Sequence, residues 1–255
     1  MSRELPTPFR IEAAAQSHPG RVRENNEDSF LVLAELGLFA VADGMGGHAS
    51  GEVASRIAVE SLQSFFTNPE VLLPPQPAAQ MAFLGAAVRY ANVRICRAAS
   101  GDPETEGMGT TLTVVHAAGT QVLLANVGDS RIYRLRGGHL ERLTEDHTVV
   151  NEAVRHGLLT PEQAEILPIR HVLTRALGSE DDVQVDLRHE EAQDGDVLLL
   201  CSDGLTEMVP ETSIARLLGA HEEPRAAAAA LIDLANKRGG LDNVTCVVLR
   251  FRWTA

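Results

Sequence analysis

The sequence predicts a single α+β domain in which two packed sheets are covered by helices. Three observations carry that expectation. Two long amphipathic helical patterns, over 50–66 and 78–99, follow an early pair of apolar runs of strand length. Short apolar runs punctuated by glycine then fill 110–143, and strands and helices return after 183. No internal repeat, low-complexity tract or linker divides the 255 residues, so 1–255 is expected to fold as one domain around a sizeable core.

Composition narrows the class. An apolar content of 44% with 22% charged residues is that of a globular protein. No apolar run approaches the roughly 20 residues of a membrane span, and Met1–Phe9 lacks the apolar core of a secretory signal. Neither a membrane partner nor secretion is therefore expected. The cysteines Cys96, Cys201 and Cys246 are odd in number and far apart, which argues for a reducing compartment and a cytoplasmic location. A net charge of −13 argues against nucleic acid as the main partner. It leaves two readings, plain solubility or carboxylates clustered around a divalent cation.

Taken in order, Arg10 to Ser17 reads as a first strand leading into a polar stretch that Pro19-Gly20 turns. Within it Arg23, Glu27 and Asp28 read, on their own, as a solvated charge run. Ser29 to Ala34 and Leu38 to Ala42 form a hairpin around Glu35-Leu36-Gly37, which places Glu27 and Asp28 at the same end of the sheet as the loop after the second strand. That loop is Asp43-Gly44-Met45-Gly46-Gly47-His48. Its glycines remove side chains, so backbone carbonyls and a ligand can come close. Alone, Asp43-Gly44 would be an ordinary turn. The chain repeats the device, however, with Asp129, Asp203 and Asp242 each at the tip of its own apolar run.

The helix over Ser50 to Phe66 ends in a segment with four prolines, and a second runs from Ala78 to Ala99. Thr110 to His116, Gln121 to Val127, Arg131 to Leu135 and His139 to Leu143 read as an antiparallel meander, with Asp129 in one of its turns. Thr144 to Gly178 is polar, helix-prone and interrupted by Pro161 and Pro168, the pattern of an inserted flap folded over one end of the sheet. Strands are expected at Val183 to Leu187, Val197 to Cys201 and Val244 to Arg252, with helices at Glu211 to Leu218 and Arg225 to Arg238.

Asp43, Asp203 and Asp242, with Glu27, Asp28 and Asp129 nearby, would repel and raise one another's pKa unless a cation neutralised them. No His or Cys stands beside them in ligand spacing, and an all-oxygen set prefers magnesium, manganese or calcium. The carboxylates suffice for two ions, with Asp43 placed to bridge them. Paired hard cations activate water and clamp a phosphoryl group. Arg23 adds a planar fork suited to a phosphate dianion.

Six motifs carry a resemblance: Arg23-x-x-x-Glu27-Asp28, Val41-Ala-Asp43-Gly44-Met-Gly-Gly-His48, Gly109-Thr110-Thr111, Gly128-Asp129-Ser130-Arg131, Ser202-Asp203-Gly204-Leu205 and Asp242-Asn243-Val244-Thr245. Their order and spacing resemble the metal-dependent type 2C (PPM) Ser/Thr protein phosphatases over residues 10 to 250. The Asp43–His48 form and Val172-Leu-Thr-Arg-Ala-Leu-Gly178 resemble the bacterial branch. The resemblance implies a four-layer α-β-β-α sandwich, two antiparallel sheets flanked by helices. It implies that Asp43 bridges two Mn2+ or Mg2+ ions, that Gly44 gives its carbonyl, and that Asp203 and Asp242 complete one ion's shell. Glu27 and Asp28 would hold or orient metal-bound waters, Asp129 with Asp203 would take a third ion, and Arg23 would bind the substrate phosphate. A metal-bridging hydroxide would attack phosphorus directly. Eukaryotic relatives carry a histidine directly after the Asp-Gly; here Met45 stands there, leaving His48 or a metal-bound water as the source of the leaving group's proton.

Other readings fit less well. Cys246-x5-Arg252 matches the spelling of thiol phosphatases, but the run is a valine-rich strand without the amide loop that chemistry needs. Asp194-Gly-Asp196 resembles the start of haloacid-dehalogenase-type phosphatases, but its apolar strand follows rather than precedes it. A pseudophosphatase that only binds phosphoproteins would lack a metal carboxylate, and every expected one is present. The expected partners are phosphorylated proteins and a cognate bacterial Ser/Thr kinase, met by a monomer.

Overall fold

The computed structural model describes residues 9–46, 50–74, 76–100, 105 and 107–254. The described chain forms two antiparallel sheets. The first has the order β1 (Phe9–His18), β11 (Val244–Trp253), β10 (Val197–Cys201), β7 (Arg131–Arg136), β8 (His139–Arg142). The second runs β2 (Asp28–Leu33), β3 (Leu38–Met45), β5 (Leu112–Ala118), β6 (Gln121–Val127), β9 (Asp186–Glu191), with the short β4 (Gly109–Thr110) pairing the end of β3.

The apolar runs are continuous because both faces of the central strands are buried. Successive side chains of a strand point to opposite faces. Phe39 and Val41 of β3 therefore join Leu198 and Leu200 of β10 between the sheets, with Val247, Leu249 and Phe251 of β11. Leu38, Ala40 and Ala42 point the other way, onto α1 (Ser50–Thr67) and α2 (Pro77–Ala99) through Ala54, Ala58, Leu62 and Leu84. Val197, Leu199 and Cys201 face α5 (Asp203–Met208), α6 (Glu211–Ala220) and α7 (Pro224–Lys237), meeting Leu205, Ile214, Leu218 and Leu231. Three apolar layers between four structural layers give the α-β-β-α sandwich.

Four expectations are corrected. The strand expected over Thr110 to His116 is broken at Thr111, whose amide bonds the Asp43 carbonyl at 2.9 Å, so β4 and β5 pair separately with β3. The meander does not exist as one sheet: β5–β6 is a hairpin of the second sheet and β7–β8 of the first. The chain crosses between sheets at Gly128–Ser130, so the Asp129 turn is a crossover. The strand expected at Val183 to Leu187 lies at Asp186–Glu191 instead, because Val183, Val185 and Leu187 pack on the helical side while the edge strand is polar. Finally, α5 follows β10 directly where no helix was expected.

The segment 144–178 contains α3 (Val149–Arg155) and α4 (Pro161–Glu165), each capped by a threonine side chain, Thr148 and Thr160. Its two ends are zipped together by a Thr148–Leu173 bridge and a Val149 N–H bond to the Val172 carbonyl at 2.9 Å.

Candidate metal centre

One end of the sandwich gathers the acidic residues. Register brings the first two together: Asp28 of β2 and Asp43 of β3 are direct cross-strand partners. The Gly44 N–H bonds the Glu27 carbonyl at 3.2 Å, which ties the preceding loop to β3. Gly44 is required by packing. A Cβ there would lie 2.1 Å from the Gly51 carbonyl oxygen and 2.6 Å from that of Glu27, so only glycine lets the start of α1 close over the strand end.

The other carboxylates arrive from the first sheet. Asp203 opens α5 directly after β10, and its neighbour Ser202 donates its hydroxyl to Asp28 Oδ2 at 2.8 Å. Ser202 is itself held by Thr245 of β11, through Ser202 N–H to the Thr245 carbonyl and Thr245 N–H to Ser202 Oγ. Asp242 precedes β11, and its Oδ1 accepts the Asn243 N–H at 2.8 Å. Asp129 sits on the crossover between β6 and β7.

Asp28 is buried and Asp43, Asp129 and Asp203 are half-buried; crowded together, these four cannot all be ionised without countercharge. Burial, then Asp28, Asp203 and Asp129, hold the Asp43 carboxyl well above its usual range, and it shares a hydrogen bond with Asp203. Burial and Asp203 push Asp129 up to about 8. Burial likewise takes Asp28 to about 7 despite hydrogen bonds from Thr245 and Ser202, and raises Asp203. Among the described residues, one oxygen of Asp28, Oδ1, is buried with no hydrogen-bond partner. Raised carboxyls around an orphaned oxygen are what a hard divalent cation, an oxygen-seeking charge, would relieve. The residues present fit such an ion.

Arg23 reaches the rim of the site. Its Nη2 donates to Asp242 Oδ2 at 2.7 Å, with the side chain half exposed and Glu27 and Asp43 close enough to reinforce its charge. Glu27 is half-buried, and burial raises its carboxyl. His48 lies outside the described residues.

Asn243, His171 and Glu207 carry parts of the site that sequence reasoning did not single out. The Asn243 side chain accepts the Glu27 N–H at 2.7 Å and donates to the carbonyls of Asn25 and Pro19 at 2.8 and 3.0 Å. It thus fixes the Arg23–Asp28 loop against Asp242. His171, Asp203 and Glu207 present ligand atoms all within 4.8 Å of one another, with His171 Nδ1 2.6 Å from Glu207 Oε1. Asp203 and Glu207 are one helical turn apart on α5, a spacing that would have paired them had the helix been expected. A cavity of about 560 Å³ opens beside them, lined by Asp129, Arg131, Asp146, Arg170 and the α3–α4 segment.

The competing nucleophile and turn resolve simply. Cys246 is fully buried within β11, and Asp196 follows Gly195 in a tight turn, paired with Arg136 at 2.7 Å.

The chain is similar to known proteins over most of its length. The family described as Protein phosphatase 2C matches residues 17–234. The serine/threonine protein phosphatase PstP of Mycobacterium tuberculosis is 45% identical over 241 residues, 93% of this chain; the chain spans 44% of that protein's length. The serine/threonine phosphatase stp of Listeria monocytogenes is 39% identical over 242 residues, covering 94% of this chain and 95% of the relative. The crystal structure of M. tuberculosis PstP superposes with a TM-score of 0.87 at 42% identity, over 95% of this chain and 99% of that one. A structure of the PstP catalytic domain, in complex with two manganese ions, superposes with a TM-score of 0.84.

Proposed function

The chain belongs to the protein phosphatase 2C family, and from that membership we propose that it hydrolyses phosphoserine and phosphothreonine in proteins, in a reaction that depends on divalent metal. The observation that carries the reading is the convergence of Asp28, Asp43, Asp129 and Asp203 from separate chain segments, with carboxyls raised by burial and mutual repulsion. Asp43, the Gly44 carbonyl, Asp203 and Asp242 would hold a pair of Mn2+ or Mg2+ ions, and Asp129 with Asp203 a third. PstP, bound to two manganese ions, supports the choice of metal. When bound, such ions lower the pKa of water and withdraw charge from phosphoryl oxygens.

The chain's own groups do the rest. Arg23 receives the phosphate dianion at the rim, and its guanidinium is oriented for this by Asp242. Glu27 and Asp28, fixed by Asn243 and Ser202, orient water. A water oxygen forms the new bond to phosphorus as the bond to the Ser or Thr oxygen breaks; the water releases a proton and the leaving oxygen takes one up. No phosphoenzyme is formed. The fully buried thiols support this, since burial pushes Cys201 up to about 12 and Cys246 higher still, far from thiolate chemistry. The segment 144–178 is a flap over the cavity. The protein acts as a cytoplasmic monomer on phosphoproteins and opposes a cognate Ser/Thr kinase. Among the described residues no helix is long and apolar enough to cross a membrane.

The test is phosphate release from a phosphothreonine peptide after thorough chelation, with and without added Mn2+. Release only with the metal, and indifferent to thiol alkylation, supports the proposal. Release that survives chelation ends it.

A further inference from the structure

The crossover that carries Asp129 is held from outside the metal centre by His147, through its ring and its backbone, and by Asn126, whose Nδ2 donates to the Gly128 carbonyl at 3.3 Å. His147, 4% exposed, lies between β8 and α3. It exchanges two hydrogen bonds with Gly128: His147 N–H to the Gly128 carbonyl at 3.0 Å, and Gly128 N–H to His147 Nδ1 at 3.1 Å. Because Nδ1 accepts a backbone N–H, the ring proton resides on Nε2, which donates to Asp186 Oδ2 at 3.1 Å. The other Asp186 oxygen takes Arg175 Nη1 at 2.8 Å, and the His147 carbonyl accepts the Thr174 N–H at 2.9 Å. Thr174 and Arg175 belong to the returning end of the flap.

On its far side Gly128 is equally constrained. With φ of 105°, a Cβ there would meet the Thr111 side chain at 2.6 Å. The Thr111 hydroxyl accepts the Asp43 N–H at 3.0 Å and bonds Ser130 Oγ at 2.8 Å. A continuous strut thus runs from the flap base through His147 and the Gly128–Asp129–Ser130 crossover to the backbone of Asp43.

We propose that His147 is a positioning residue: it sets Asp129 relative to Asp43 and ties that setting to the seating of the flap base. The proposal rests on the reading that Asp129 holds a cation. The plainer alternative is a buried histidine that merely satisfies one amide. The two differ in what a substitution does once Asp129 is gone.

The experiment compares His147→Asn, His147→Gln, Asp129→Ala and the double variant Asp129→Ala/His147→Gln. Steady-state kinetics on a phosphothreonine peptide at saturating Mn2+ are read beside bound Mn2+, counted by electron paramagnetic resonance of the free ion. Asparagine places Oδ1 where Nδ1 was and can still accept the Gly128 N–H; glutamine reaches Asp186 but leaves that N–H unmet. His147→Gln should lower kcat by about 10-fold or more, the scale on which outer partners of metal ligands act, with KM little changed and one Mn2+ weakened. His147→Asn should restore most of the loss, and the double variant should be no worse than Asp129→Ala. Additive losses in the double variant, or asparagine failing as badly as glutamine, would overturn the positioning role. Full kcat and undiminished Mn2+ in Asp129→Ala would instead remove the reading of Asp129, and the proposal with it. If His147→Gln does not fold, Asp186→Asn on the exposed end of the strut takes its place. It should lower kcat in wild-type but not in Asp129→Ala, and an unchanged kcat in wild-type overturns the coupling.

Discussion

Asp28 and Asp43 stand directly opposite each other on paired strands, and Ser202 from the other sheet bonds the first of them at 2.8 Å. Like charges directly across a strand pair destabilise it. The fold nevertheless puts them there and adds Asp129 and Asp203, so a site of this kind stores repulsion that a cation or protons must relieve.

That repulsion has a pH signature. In the metal-free protein Asp28 and Asp129 are raised to about 7 and about 8, against roughly 3.9 for an unfolded aspartate. Between these values the folded chain holds more protons than the unfolded one, so stability falls as pH rises. The protons' contribution is complete below about pH 4 and lost above about pH 8. Urea unfolding of the chelated protein should therefore show decreasing stability across that window. Mn2+ displaces those protons, so its stabilising effect should grow over the same range. A chelated protein whose stability is flat or rising from about pH 5 to 8 would contradict this assignment of the carboxylates.

Asn243→Ala should damage the site without touching a metal carboxylate. The substitution strands the Glu27 N–H and the Asn25 and Pro19 carbonyls. Leaving such groups unsatisfied costs about 1–3 kcal/mol, measurable by urea unfolding. The Arg23–Asp28 loop should loosen with it, raising KM for phosphopeptides. Unchanged stability and KM would show that the loop is held by other contacts.

The flap should govern which proteins are dephosphorylated more than the chemistry itself. Its base is zipped by Thr148–Leu173 and Val149–Val172, so residues 156–168 can be replaced by a short glycine linker without opening it. That removal takes Pro161, Ala164 and Glu165 from the cavity wall. Hydrolysis of a small aryl phosphate should survive while the ranking among phosphopeptides changes. Proportional loss on all substrates would mean that the segment supports the metal centre.

Much of this was legible because both faces of the central strands are buried. Leu38–Ala42 and Val197–Cys201 had to be continuous apolar runs, and each is followed within two residues by Asp-Gly. What could not be read has local causes. The helix α5 has six residues and buries only Gly204 and Leu205, too little for a periodic signal. The strand β9, Asp-Leu-Arg-His-Glu-Glu, is a polar edge, while the apolar residues just before it face helices. At Val127-Gly128-Asp129 a hairpin turn and a crossover between sheets have the same spelling. The contacts of His147 with Gly128 and of His171 with Glu207 join distant segments, and no local pattern encodes them.

On the proposed function, Asp43 organises the metal on which hydrolysis depends. The most direct test is isothermal titration of chelated wild-type and Asp43→Asn with Mn2+, paired with phosphopeptide turnover on the same samples. Wild-type should bind at least two Mn2+ and gain activity as they bind. Asp43→Asn, folded by circular dichroism, should lose the tight Mn2+ sites and more than about 100-fold in turnover, beyond the scale of outer-shell changes. Wild-type turnover in an Asp43→Asn protein stripped of metal would contradict that role of Asp43.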